Sequence, residues 1–270
     1  MKFSTSLLIL SGLAALAAPA RAGVGDLLVA PTRIMLDGRK GAEIILNNIG
    51  EETATYRVSV EFRRMNADGR LDDVATPSAA EKLAEEMLVY APRRVTLAPR
   101  QPQSIRISAR PQQGIADGEY RVHLLFRAIP SARPVAATTG EQPKGLRFAL
   151  TPVYGVTIPV IVRLGQLHAK AGIANVRLDQ EDGKPVVSLD LSRSGDRSTF
   201  GEIRVLKPGV KEPVAFLRSV AVYTEVNSRV VHIPLSETFK GDVRGPVTVQ
   251  YVETFDDGGT TLAETQAVLR

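Results

Sequence analysis

Leu146-Arg147-Phe148-Ala149-Leu150-Thr151-Pro152-Val153-Tyr154-Gly155-Val156-Thr157-Ile158-Pro159-Val160-Ile161-Val162-Arg163 is a strand-like run too long and too apolar for the edge of a simple sandwich. Read with period two, one face carries Phe148, Leu150, Pro152, Tyr154, Val156 and Ile158. Pro152 and Pro159 have no N–H to give a ladder, which places at least part of the strand at a sheet edge. A long apolar edge is an aggregation hazard that proteins normally cover or charge, so an incoming strand is one natural occupant. The other reading, equally open on the residues alone, is an ordinary last strand that continues into an inter-domain connector.

Upstream, Ser131–Lys144 (SARPVAATTGEQPK) has no periodicity and reads as a loop. Before it, short runs rich in β-formers recur at residues 42–47, 55–62, 94–97, 104–108 and 120–127. Turn signals separate them at Asp37-Gly38, Asn48-Ile49-Gly50, Asp68-Gly69 and Asp117-Gly118. The one helical patch is Ser78–Leu88, where Ser78 and Glu81 have the spacing of a capping box. Downstream of about residue 173, seven further strand signals follow, with turns at Glu181-Asp182-Gly183, Ser194-Gly195-Asp196, Lys207-Pro208-Gly209 and Asp256-Asp257-Gly258-Gly259. Strands at this spacing indicate sandwiches rather than βαβ units. The expectation is an all-β chain of two tandem immunoglobulin-like β-sandwich domains, over residues 23–165 and 166–270.

The 270-residue length suits two domains at roughly 150 residues each. Residues 1–22 read as a secretory signal peptide: Lys2, the apolar stretch Leu7–Ala18, and an Ala20-Arg21-Ala22 cleavage site, too short to span a bilayer. The chain has no Cys, which excludes disulfides, thiolate metal sites and cysteine nucleophiles. The three histidines, His123, His168 and His232, are far apart in sequence, against a histidine-built metal centre or triad. The formal charge of +5 is dispersed in short pairs such as Arg63-Arg64 and Arg93-Arg94, and aromatics are only 5%, so a nucleic-acid partner is not expected.

Asn66-Ala67-Asp68-Gly69-Arg70-Leu71-Asp72 loosely matches a calcium loop but lacks the final bidentate Glu, and reads as a hairpin turn. His123 reads as a satisfied structural histidine within a strand. No nucleophile elbow, phosphate loop or zinc-protease motif occurs. Neither an enzyme nor a cofactor is expected, and no metal site.

Three segments resemble the PapD-like periplasmic pilus-assembly chaperones. They are Thr32-Arg33-Ile34-Met35-Leu36-Asp37-Gly38; Tyr90-Ala91-Pro92 through Leu97-Ala98-Pro99 into Gln103-Ser104-Ile105-Arg106-Ile107; and Tyr120 through Arg127-Ala128-Ile129-Pro130. Their order and spacing are similar to the family's over residues 25–165, while residues 170–270 match in strand rhythm only. The resemblance implies two immunoglobulin-like domains set at an angle, in a boomerang arrangement. It also implies a periplasmic, ATP-independent chaperone that caps pilus or fimbrial subunits. In that family the long strand ending domain one lends alternate side chains to the groove of a strand-deficient subunit, a form of β-augmentation for which chaperone–pilin pairs are a standard example.

The implied donors here are Phe148, Leu150, Pro152, Tyr154 and Val156. The implied anchor for the subunit's C-terminal carboxylate is Arg33, which on the residues alone is an ordinary strand arginine. Aligning the long strand puts Pro159 where the family has a cleft lysine, with Arg163 nearby in a different register. That departure points to a divergent subfamily or a different client. Arg127 is expected to support the fold. An outer-membrane usher is the implied second partner, and the donor edge would self-associate when no client is present. The competing expectations are a secreted structural or adhesive protein of the same superfamily, and a carbohydrate-binding sandwich, which would need a pair of carboxylates on one face.

Overall fold

A computed structural model describes residues 26–130, 153–254 and 259–270. The signal-peptide segment, the Ser131–Lys144 stretch and the donors Phe148, Leu150 and Pro152 lie outside the described residues.

The first unit is two facing sheets. One joins β1 (Leu27–Ala30), β3 (Ala42–Asn48), β9 (Pro102–Ala109) and β7 (Leu88–Ala91), in that spatial order. The other joins β2 (Ile34–Leu36), β11 (Gly155–Leu164), β10 (Gly118–Ile129), β4 (Ala54–Glu61) and β8 (Arg94–Leu97), again in that order. Alternation in the sequence becomes alternation in burial: Ile44 and Leu46, Ile105 and Ile107, Leu124 and Phe126, Ile158 and Val160 point into one shared core. Burying β-branched and aromatic side chains on one face of each sheet is the main force holding such a sandwich together.

The second unit has the seven strands expected from the sequence. β12 (Ala169–Glu181), β13 (Lys184–Gly195) and β16 (Ser228–Pro234) form one sheet. β15 (Ala215–Val222), β14 (Thr199–Leu206), β17 (Gly245–Glu253) and β18 (Thr261–Leu269) form the facing one. Its separate core contains Val187, Leu189, Ile203, Val205, Val249 and Tyr251, whose hydroxyl donates to the Val220 carbonyl at 2.9 Å. The chain is therefore all-β, in two sandwiches. No helix among the described residues is long and apolar enough to cross a membrane.

The excursion between β4 and β7 carries a hairpin, β5 (Arg63–Met65) and β6 (Leu71–Asp73), and the short helix α1 (Ala79–Glu86). The capping box forms as the spacing predicts. The Ser78 hydroxyl accepts from Glu81 N–H at 3.3 Å, and the Glu81 carboxylate accepts from Ser78 N–H at 2.6 Å. Arg64 reaches across from the hairpin and donates twice to the same carboxylate, holding Glu81 down at about 2, well below the usual range.

Candidate functional site

β11 is an edge for only part of its length. It pairs antiparallel with β10 from Gly155 to Leu164, but β2 covers its other side only where Ile34–Leu36 lie parallel to Val160–Val162. Over Gly155–Pro159 the outer side has no strand partner among the described residues. Ala128 N–H donates to the Tyr154 carbonyl at 3.0 Å, so the even residues of β11 turn their backbone groups toward β10 and the odd ones turn theirs outward. Gly155 and Thr157 thus present N–H and C=O to the open side. Pro159 also faces outward, where its missing N–H costs the β10 ladder nothing, which is why a proline is tolerated inside a paired strand.

Side chains alternate on the other axis. Val156, Ile158, Val160 and Val162 face the first core, and Val156 is half-buried against it. Of the donors expected from the sequence, Val156 is thus shared with the protein's own core, whereas Tyr154, on the same face, is 55% exposed. Val153 is exposed beside it and lines a shallow cavity of about 300 Å³ with Arg57, Arg127 and Ile129. Arg127, expected to support the fold, is exposed at this rim.

At one end of β10, β11 and β2 the odd-numbered residues Glu119, Arg121, Met35, Ile161 and Arg163 build a second surface, facing the other sandwich. Arg33, which precedes β2, lies here and is only 5% exposed. Its Nη1 donates to the Tyr223 hydroxyl at 3.0 Å, and its guanidinium lies 4.4 Å from the centroid of the Phe200 ring. Burial lowers its pKa, opposed by the neighbouring Tyr223 and Glu119. The expected carboxylate anchor is therefore engaged by the second domain in this structure.

Around Arg33 the seam is charged and dense. Arg121 lies 3.8 Å over the Tyr223 ring and donates to both Glu225 oxygens, at 2.5 and 3.0 Å. Burial alone would raise the Glu225 carboxyl, but hydrogen bonding and charge from Arg121 win and lower it. Arg163, off register for the cleft lysine, instead donates to Glu119 Oε2 at 2.9 Å and to the Ser198 carbonyl at 3.0 Å. An apolar patch of Met65, Ile161, Ala221 and Tyr223, with Met35 and Leu71 against it, fills the rest.

His123 lies on the same face, opposite Pro159 and Glu61. The expectation of a satisfied structural histidine is corrected here: it is 1% exposed, and neither ring nitrogen has a hydrogen-bond partner among the described residues. Burial, then the positive charges of Arg121, Arg63 and Arg33, push its pKa down to about 3, so it is held neutral.

The inter-domain seam is not legible in the sequence. Glu119, Ser198, Tyr223 and Glu225 carry no local signal, because each is an ordinary polar or aromatic residue whose partner across the seam lies 35 or more positions away, as in Arg163–Ser198, Glu119–Ser198 or Arg33–Tyr223. The only available hint was the odd parity of charged residues on strands whose even positions are apolar.

No family model matches the chain, and no curated protein matches it. Among solved structures it is similar to the YadV chaperone, at 13% identity over 90% of this chain and 100% of that one, with a TM-score of 0.47. It is also similar to the Escherichia coli chaperone DraB, at 15% identity over 93% and 99% of the two chains, with a TM-score of 0.46. The Pseudomonas aeruginosa CupB2 chaperone is similar at 12% identity over 90% and 100%, with a TM-score of 0.46.

Proposed function

We propose that this chain is a periplasmic, ATP-independent chaperone that caps pilus- or fimbrial-type subunits by lending them a strand. The observation that carries the reading is the open half of β11. Gly155–Pro159 offers outward backbone groups with no strand partner among the described residues, and leads back into the exposed Tyr154 and Val153. Main-chain pairing at such an edge gives affinity that depends little on the partner's sequence, and alternate side chains entering pockets set the register. The resemblance of residues 25–165 to the PapD-like chaperones points the same way. In this reading Phe148, Leu150, Pro152 and Tyr154 are donors, Val156 contributes at the end of the donated segment, and Arg33 receives the subunit's C-terminal carboxylate. Delivery to an outer-membrane usher completes the role, and without a client the same edge would pair with a second copy. The function is binding, with no catalytic step and no cofactor.

The test is co-expression in the periplasm with candidate strand-deficient subunits, followed by isolation of the complex. Wild type is expected to form a one-to-one complex. Leu150→Glu and Tyr154→Glu are expected to stay folded and lose it, and Arg33→Ala to weaken it. Glutamate variants that bind as tightly as wild type would overturn the proposal.

A further inference from the structure

The β5–β6 hairpin belongs by sequence to the first sandwich but lies against the second. It is a well-formed unit. Val74 N–H donates to the Phe62 carbonyl at 3.0 Å at its base, and Asn66 N–H to the Arg70 carbonyl at 2.9 Å near its tip. The Asn66 side chain accepts from Asp68 N–H and Arg70 N–H, the local bonding that suits asparagine to a turn. On its own side the hairpin is held by Arg121 Nη2, which donates to the Arg63 carbonyl at 3.1 Å, and by Arg64, which donates twice to Glu81.

Its attachments to the second domain are few and lie along its length. Val230 N–H donates to the Ala67 carbonyl at 3.2 Å. Met65 N–H donates to Glu225 Oε1 at 2.7 Å, the carboxylate that also holds Arg121. At the tip, Gly69 has φ +79°, and a Cβ placed there would lie 1.9 Å from Arg229 Cζ, so the guanidinium rests directly on the glycine backbone. Met65 and Leu71 supply its apolar contact, closing the patch in which Tyr223 stands. Tyr223 in turn binds Arg33. Two apolar side chains and a handful of polar contacts are far less than either sandwich core, so this is a place for local opening well below the cost of global unfolding.

We propose that the β5–β6 hairpin is a strap that fastens the two domains, and that it must lift before Arg33 can meet the carboxylate of a bound subunit. The identity of that ligand rests on the function proposed above; the strap itself does not. In the fastened state Arg33 is spent on Tyr223 and Phe200, and the chaperone is closed to a carboxylate. A subunit that pairs with β11 and brings its carboxylate to the seam would compete with these contacts, coupling capture to strap release.

The absence of Cys permits a reversible lock. Cysteines replacing Ala67 and Val230, already joined by a backbone hydrogen bond, are the only thiols in the doubly substituted full-length protein. The oxidised and reduced forms share one sequence and differ only in the disulfide. The first measurement needs no client: labelling by phenylglyoxal, an arginine reagent, followed residue by residue by mass spectrometry. Arg33 labelling is expected to be about ten-fold slower in the oxidised form, the change given by about 1.4 kcal/mol on an opening equilibrium. Equal rates would overturn the strap. Gly69→Val gives the opposite perturbation by forcing the tip off Arg229; it is expected to speed Arg33 labelling while leaving that of Arg193, buried in the second domain, unchanged. No acceleration, or a parallel rise at both arginines, would also overturn the strap.

The second measurement is capture of a strand-deficient subunit. The oxidised form is expected to capture at least about ten-fold more weakly and to recover on reduction. Equal capture by the two forms would overturn the gating of Arg33. No capture by either form, or by wild type, would instead overturn the proposed function and leave the labelling result to decide the strap.

Discussion

Glu119 of the first sandwich and Ser198 of the second meet at one carboxylate oxygen: Glu119 Oε2 accepts from Ser198 N–H at 3.0 Å and from its hydroxyl at 2.9 Å. Arg163 completes the joint, donating to the same oxygen at 2.9 Å and to the Ser198 carbonyl at 3.0 Å. The Glu119 side chain is almost fully buried, so its negative charge is held in place by Arg163 and the backbone rather than by water.

Removing that charge should separate the domains before it unfolds them. Glu119→Gln leaves Arg163 with a neutral partner and is expected to cost about 2–4 kcal/mol of the coupling between the sandwiches. Calorimetry should show a single transition in wild type becoming two in the variant. Ser198→Ala, which removes only the hydroxyl, should cost about 1 kcal/mol and keep one transition.

His123 makes stability depend on pH. Its folded-state pKa is about 3 against an ordinary value of 6.5, so between these limits the unfolded chain binds the extra proton. The stabilisation is complete above pH 6.5 and is lost as pH falls toward 3. From pH 7 to pH 5 the loss should be roughly 2 kcal/mol. His123→Gln, which does not titrate, should flatten urea-unfolding stability across this interval. Glu81, held at about 2 from an ordinary 4.5, adds a separate loss only below pH 4.5, outside it.

Val156 and Tyr154 share a face of the same strand yet should respond differently to a charge. Val156→Glu puts a carboxylate against the first core and is expected to destabilise by about 2–3 kcal/mol. Tyr154→Glu, at an exposed position, should stay within about 0.5 kcal/mol of wild type. Urea midpoints of the two variants, measured side by side, check this and show which residue is free to be lent.

Arg193 ties together two loops of the second domain. Its guanidinium is buried and donates to the carbonyls of Gly195 at 2.8 Å, Arg197 at 3.1 Å and Thr224 at 3.3 Å. A lysine has a single nitrogen and cannot reach this spread of acceptors, so Arg193→Lys is expected to cost about 2–3 kcal/mol. Because Thr224 adjoins Glu225, hydrogen exchange at Met65, whose N–H is held by Glu225, should rise in the same variant.

The sequence by itself determined the two sandwiches, the capping box and the parity of the long strand. These are properties of neighbours in the chain: an alternation such as Ile44-Ile45-Leu46 dictates which side chains a pleated strand can bury, and Ser78 meets Glu81 within one helical turn. Parity also showed that Tyr154 and Val156 share a face. Where the core's cover stops between them was not legible, because that depends on what the rest of the sandwich packs against each position. Only the tertiary structure decided that β2 closes β11 at Val160–Val162 alone, that the hairpin crosses to the other domain, and that Arg33 faces Tyr223. Those contacts join residues up to 190 positions apart, through single hydrogen bonds and ring faces. A polar residue on a strand's outer face has the same sequence signature whether it meets water, a partner or a second domain, so its role is set only when the sandwiches come together.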